Sequence, residues 1–282
     1  MSLRMARRRV VNVVMLTATG ACAVVAVLVL CFILGYLLWN GGHYLSWNFL
    51  TKLPTPVGEP GGGMANAIVG SGKILLIAAI TGIPVGLLAG IYLAEFGGTT
   101  MTFMARYAAD LLNGVPSIVT GIFAYTLVVL PLHHFSALAG GLALGIMVIP
   151  IVMRSTEDFL RAVPGTLLEG ALALGASRWR GIATVVIPAA ARGIATGILL
   201  AMARVAGETA PLLFTSFNNH YWVSGWMQPT ASLPVMIYIY AISAYQDWQR
   251  QAWAAGFVLL MLVLLINICA RAILLRGNTA GR

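Results

Sequence analysis

Two ionisable residues four apart, Arg204 and Glu208, break a run of apolar residues that opens near Gly193. At the centre of a membrane helix each costs roughly 2.5–3.5 kcal/mol, so both must face protein or water. On an unbroken helix their spacing puts them on one face, within pairing reach. Two chemistries fit. A self-neutralising ion pair would lower the cost of burying both. Alternatively, Arg204 presents its planar fork of donors to a dehydrated oxyanion, and Glu208 holds the fork in place until the anion displaces it. Gly207, Thr209 and Pro211 are expected to interrupt the helix, with Thr209 adding a hydroxyl. A third use of the same pair is a proton-coupled site, with Glu208 as the proton carrier.

A second constellation lies in a polar segment between apolar runs. Glu169-Gly170-Ala171-Leu172-Ala173-Leu174-Gly175 is followed, twelve residues beyond Gly175, by Ile187-Pro188. Thr166 to Leu174 suits a short helix, Gly175 a turn, and Ser177 the cap of a second helix running to Pro188. Leu172, Leu174 and Trp179 then form an apolar knob with Glu169 at its rim. Such knobs fill grooves on partner proteins, where the carboxylate meets a basic residue. The plainer reading is an amphipathic hairpin lying on lipid.

Other chemistry finds no support. No acidic pair, histidine ligand set or nucleophile with a base at recognisable spacing occurs, so no catalytic residue is assigned and the chain is not read as an enzyme. Cys22, Cys31 and Cys269 all fall in apolar runs and read as small packing or lipid-facing residues, with no metal-ligand spacing. Gly70-Ser71-Gly72-Lys73 invites comparison with a phosphate-binding loop. The comparison fails at Ala67, where glycine is required, and at Ile74, where serine or threonine is required. The chain is therefore expected to bind no cofactor of its own, and energy must come from elsewhere.

These segments need a scaffold, and composition names its solvent. Of 282 residues, 60% are apolar and 9% charged, which excludes soluble globular classes. Apolar runs of some twenty residues place spans at roughly 12–38, 67–94, 109–131, 137–153, 193–215 and 252–275. Six spans put both termini on one side. Arg4, Arg7, Arg8, Arg9, Arg106, Arg154, Arg161, Arg178, Arg180, Arg192, Arg271, Arg276 and Arg282 then share one face, leaving Lys52, Lys73 and Arg250 on the other. Positive charge stays in the cytoplasm, so both termini and the Glu169 loop are expected there. The net charge of +9 thus reports topology and contact with membrane lipids, and nucleic acid is not an expected partner. Gly82, Gly86 and Gly90 repeat at four-residue spacing, as close helix packing in lipid requires, with Pro84 among them. On the outer side, residues 39–66 suit an interfacial belt and irregular loop, and 216–251 a re-entrant or interface-lying segment.

The Glu169–Pro188 loop, read as E-[AG]-A-x3-G-x9-[IV]-x-[LI]-P, resembles the loop by which type I ABC importer permeases dock on their ATPases. Three further strings extend the likeness: Gly90-Ile91-Tyr92-Leu93-Ala94-Glu95, Val115-Pro116-Ser117-Ile118-Val119 and Gly207-Glu208-Thr209-Ala210-Pro211-Leu212. With the Met227-Gln228-Pro229 and Leu233-Pro234 neighbourhood, they resemble the A-type permease subunit of phosphate-specific importers. Gly170, Val185 and Ile187 depart mildly from the pattern and keep its small or aliphatic character.

The resemblance implies an all-α membrane protein with the six-helix type I permease fold and a cytoplasmic coupling-helix loop. It implies phosphate transport by alternating access across the bacterial cytoplasmic (inner) membrane. Residues 1–66 would form the first span and outer loop, 67–275 a permease core of five spans, and 276–282 a cytoplasmic tail. Expected partners are a homologous C-type permease, two copies of an ATPase that uses ATP and Mg2+, and a periplasmic or lipid-anchored phosphate-binding protein. Arg204, Glu208, Thr209 and Arg154 would serve translocation. Arg154 also reads as a positive-inside anchor. Glu169, Gly170, Ala171, Leu172, Gly175, Trp179 and Pro188 would couple the loop to the ATPase. A permease for sulfate or molybdate, or a proton-coupled secondary transporter, are the alternatives.

Overall fold

A computed structural model of the chain describes residues 3–56, 58–59, 61–222 and 224–276. Its regular elements are helices throughout the described residues. Five are long and apolar enough to cross a membrane, and one bent pair makes a sixth candidate span. Most of the tail expected at 276–282 lies outside the described residues.

The centre of the bundle is a pair of parallel helices, α3 (Ala65–Glu95) and α7 (Ala137–Arg161). Inside lipid no hydrophobic effect drives helices together, so close backbone contact must supply the attraction. Gly82, Gly86 and Gly90 provide it. A Cβ on these residues would lie 2.8, 2.8 and 2.6 Å from the carbonyl oxygens of Gly145, Ile149 and Met153. Gly141 and Gly145 return the favour by admitting Ile77 and Thr81. The four-residue glycine repeat is therefore a packing stripe, and α3 runs through Pro84 unbroken.

Helix α1 (Leu3–Tyr44) outruns the expected 12–38 at both ends and is followed by the short α2 (Trp47–Thr51). Its most apolar stretch is not buried anywhere in this chain. It meets the rest only near its C-terminal end, where Gly41 packs on Trp253 and Phe257 and Tyr36 sits edge-on to Trp253 at 5.1 Å. These partners belong to the start of α13 (Gln246–Arg276), so the two helices run antiparallel and bring Leu3 and Arg276 to one end of the bundle.

The span expected at 109–131 is not straight. Helix α4 (Thr100–Gly114) starts at a reciprocal Thr99–Thr102 capping box, about ten residues early, and stops at Val115. Pro116 forces the residue before it into an extended conformation, and Val115 takes φ −70°, ψ 131°. The chain then turns by 105° into α5 (Ser117–Ala124), a π-helical turn over Tyr125–Val129, and the short α6 (Leu130–Leu132).

The fifth span also shifts. It covers 178–206 in place of the expected 193–215. Helix α8 (Gly165–Ala173) is followed by α9 (Arg178–Gly181), a second π-helical turn over Ile182–Val186, and α10 (Ile187–Ala206). A proline ring has no N–H to donate and presses on the carbonyl four residues back. The wider π-turn before Pro188 absorbs that conflict, and the helix continues where a break is expected. The one real break comes at Gly207, before α11 (Ala210–Thr215).

Between α11 and α13 the chain dips into the bundle and returns. Helix α12 (Leu233–Ala241) is about 13 Å long, far short of a bilayer core. Leu233, Pro234, Val235, Met236 and Tyr240 are buried, and the Leu233 N–H donates to Ser71 Oγ of α3 at 2.8 Å. The segment is re-entrant, as its Pro and aromatic content predicts.

Gly86→Leu should force α3 and α7 apart and lower the melting temperature and yield of detergent-purified complex, at a cost of about 1–3 kcal/mol or more. Gly72→Ala, where an added Cβ meets nothing within 4 Å, should melt like the wild type.

Candidate functional site

The Glu169 loop is built as its sequence reads, with one difference. Gly175 takes φ +86°, a left-handed geometry that favours glycine, and closes α8. The Ala176 N–H donates to the Ala171 carbonyl at 3.1 Å and the Gly175 N–H to Leu172 at 2.9 Å, the bond pair of a Schellman stop. Ser177 occupies the cap position of α9 but its hydroxyl makes no capping bond. Gly181 of α9 seats against Leu168 and Ala171 of α8, so the two short helices pack as a unit. Leu174 is 91% exposed and Trp179 63%; Leu172 is exposed as well. Glu169 is exposed and forms no ion pair among the described residues. Gly170 has open space where a Cβ would stand, so the alanine of the loop pattern would fit equally. Pro188 is exposed at the start of α10.

The loop is stitched to the end of α3. Arg178 Nη2 donates to the Glu95 carbonyl at 2.7 Å, and its guanidinium lies 5.5 Å from the Phe96 ring centre. Trp179 packs on the other side of this joint, 5.5 Å from Phe96. A push on the loop therefore reaches α3 directly.

Arg204 and Glu208 are not paired. The expected shared helical face requires an unbroken helix, and α10 ends at Ala206. Gly207 and the approach of Pro211 divert the chain, so Glu208 lies in the break, its N–H donating to the Val205 carbonyl at 3.1 Å. Arg204 sits in the last turn of α10, where a cation offsets the helix dipole, and is exposed. Neither residue has an ion-pair partner among the described residues. The Thr209 hydroxyl reaches the Pro234 carbonyl at 3.5 Å, tying the break to the re-entrant α12.

Arg154, by contrast, belongs to a network. At its centre is Glu157, 1% exposed. Its Oε1 accepts from Arg106 Nε at 2.7 Å and pairs with Arg161 Nη2 at 3.1 Å, and its Oε2 accepts from Arg154 Nη1 at 3.4 Å. Arg154 also donates from Nε and Nη2 to Asp110 Oδ1 at 3.0 and 2.7 Å, with a further bond to Oδ2. Arg106 and Arg161 both reach the Leu93 carbonyl near the end of α3, at 3.1 and 3.4 Å. Five side chains from α4 and α7 thus lock onto the same helix end that anchors the Glu169 loop.

The two candidate arginines stand at different depths. Gly193 and Gly197 of α10 pack on Phe159 and Ser155 of α7, which makes those helices antiparallel. Arg154 is then level with about Ile198, and Arg204 lies six residues, about 9 Å, further along the bundle.

A family model for binding-protein-dependent transport system inner membrane components matches residues 82–276. The chain belongs to that family. Two curated relatives are the phosphate transport system permease proteins PstA of Yersinia pestis and Xylella fastidiosa. The first is 44% identical over 271 residues, 96% of this chain and 92% of the relative. The second is 46% identical over 274 residues, 96% and 95%. The fold matches a chain of the MetNI methionine ABC transporter in inward-facing conformations, with TM-score 0.58 and 18% identity over 74% of this chain and 95% of that one. A chain of a bacterial transporter that imports the acidic polysaccharide alginate gives TM-score 0.52 at 14% identity, over 92% and 99%. This inner membrane component therefore has the type I ABC importer permease fold.

Sequence reasoning treats Arg106, Arg161 and Arg178 as topology markers only and passes over Glu157 and Asp110. The signal was present. Arg154, Glu157 and Arg161 fall at i, i+3 and i+7, and Arg106 and Asp110 at i and i+4, each set on one helical face.

Removing Glu157 leaves three guanidinium groups facing each other. Glu157→Gln should lower the melting temperature of the detergent-purified protein. The loss should sit near the lower end of the roughly 3–5 kcal/mol typical of a broken buried pair, since the arginines are partly solvated. An unchanged melting temperature would show that the hub carries no stability.

Proposed function

We propose that this chain is the A-type permease subunit of an ABC importer that moves inorganic phosphate across the bacterial inner membrane. The observation that carries the reading is the match to phosphate permeases at 41–46% identity along nearly their whole length. The chain itself is not an enzyme; ATP hydrolysis belongs to a separate subunit.

Within that reading, the Glu169 loop faces the cytoplasm, both termini lie on the same side, and the exposed Leu174 and Trp179 fill a groove on the ATPase. Glu169, which has no ion-pair partner among the described residues, meets a basic residue at the rim. Two ATPase copies that use ATP and Mg2+, a homologous C-type permease and an outer phosphate-binding protein complete the assembly. When ATP draws the ATPases together, the loops follow. The Arg178–Glu95 and Trp179–Phe96 contacts pass the displacement to α3, and its glycine stripe passes it to α7, which carries Arg154. Alternating access is then a rigid movement of the α3–α7 pair.

Arg204 and Arg154 serve as successive stations for the anion. A guanidinium fork matches the oxygens of a tetrahedral oxyanion, and low dielectric strengthens the contact. Among the described residues Arg204 has no carboxylate to displace, since Glu208 stands off in the helix break. Glu208 and Thr209 shape the opening beside it.

Reconstituted with its partners, the complex should take up labelled phosphate in preference to sulfate or molybdate; preference for either of those would reassign the substrate. Glu169→Arg or Gly175→Arg should release the ATPase while the permease still inserts, and normal co-purification of the ATPase would remove the docking role. Arg204→Gln should abolish uptake in a complex that assembles and hydrolyses ATP. Wild-type uptake by that variant would leave Arg204 a structural residue.

A further inference from the structure

The two carboxylates on Arg154 are held very differently. Glu157 is enclosed and shared among three arginines. Asp110 has a side chain 56% exposed, and Arg154 is its only ion-pair partner among the described residues. It takes the Nε and Nη2 donors together, the edge of the guanidinium that also receives two oxygens of a phosphate in the forked geometry.

Three further features distinguish this from an ordinary surface pair. Arg154 lies one residue beyond the expected end of the fourth span at 153, at the mouth of the bundle, with its side chain 32% exposed. Asp110 rides on α4, which ends four residues later at the 105° turn, so its helix is joined to the rest of its span by a bend. The charge balance is also suggestive. Arg106, Arg154 and Arg161 against Glu157 and Asp110 leave one excess positive charge. With Asp110 withdrawn, two remain, which equals the charge of a hydrogen phosphate dianion.

We propose that the Asp110 carboxylate is an internal stand-in for the transported oxyanion: it occupies the Arg154 fork when the passage is empty and yields it when the anion arrives. The proposal rests on the reading of this chain as a phosphate permease with Arg154 on the route. Asp110 is then a positioning and competing residue. It neutralises Arg154 between passages, keeps the fork aimed, and weakens the station enough that the anion leaves again. An exposed pair of this kind contributes little net stability, so exchange is cheap in both directions.

The test uses the whole purified complex in lipid nanodiscs without the phosphate-binding protein, with labelled phosphate and labelled sulfate as probes. Asp110→Asn removes the competitor and should tighten phosphate binding several-fold, with slower uptake at saturating phosphate in vesicles that include the binding protein. Asp110→Glu should restore wild-type binding. The double variant Asp110→Asn with Arg154→Gln should lose the gain, and all variants should melt close to the wild type. Unchanged or weaker binding by Asp110→Asn, or a gain that survives loss of Arg154, would overturn the proposal. Should the wild type prefer sulfate, the phosphate reading falls. The displacement by Asp110 is then judged by the same series read with sulfate.

Discussion

The seam between α3 and α7 brings helix backbone directly against helix backbone. Gly82, Gly86 and Gly90 let α3 lie against the backbone of α7 and its Val148, Val152 and Thr156 side chains, and a single added methyl at any of the three would meet a carbonyl oxygen under 3 Å away. Lipid offers no hydrophobic reward for burying a helix face, so dispersion across this seam has to hold the pair. Both functional ends hang from it. The Glu169 loop is fastened to the end of α3, and the arginine network grips the same end from α7 and α4. Force applied at the loop and charge held in the bundle therefore share one rigid element.

The chemistry of the arginine network follows from burial. A lone carboxylate at 1% exposure would be costly, and three guanidinium groups around it are costly in their own right. Together they satisfy one another, and the arginines keep part of their surface open to water. Arg204 is the contrasting case. It is open, without a carboxylate partner among the described residues, and stabilised by its place at the end of α10. Arg154 and Arg204 thus differ both in depth and in the charge that compensates them.

Much of this was legible in the sequence. Apolar runs located most of the spans, the glycine repeat announced the central seam, and Gly175 marked the turn of the Glu169 loop. The errors have physical causes. Pro116 was read as part of a span, although proline bends the residue before it away from helix, and the span breaks there. Pro188 was read as a stop, although a π-turn lets the helix continue through it. Arg204 and Glu208 were placed on one face because spacing alone assumes an unbroken helix. Glu157 and Asp110 went unnoticed because their meaning depends on α4 lying against α7, a contact between residues about fifty positions apart that no local pattern encodes.

The π-turn at Ile182–Val186 has a geometric consequence. It inserts one residue beyond the ordinary helical count between α9 and the span, and one residue of helix is worth about 100° of rotation. On the far side of that extra step Trp179 packs on Phe96 and Arg178 donates to the Glu95 carbonyl. The azimuth of the docking knob is thus set by a length, independently of which side chains decorate it. Gaining or losing that single residue would turn the exposed knob about the helix axis and leave the membrane-facing positions of α10 where they are.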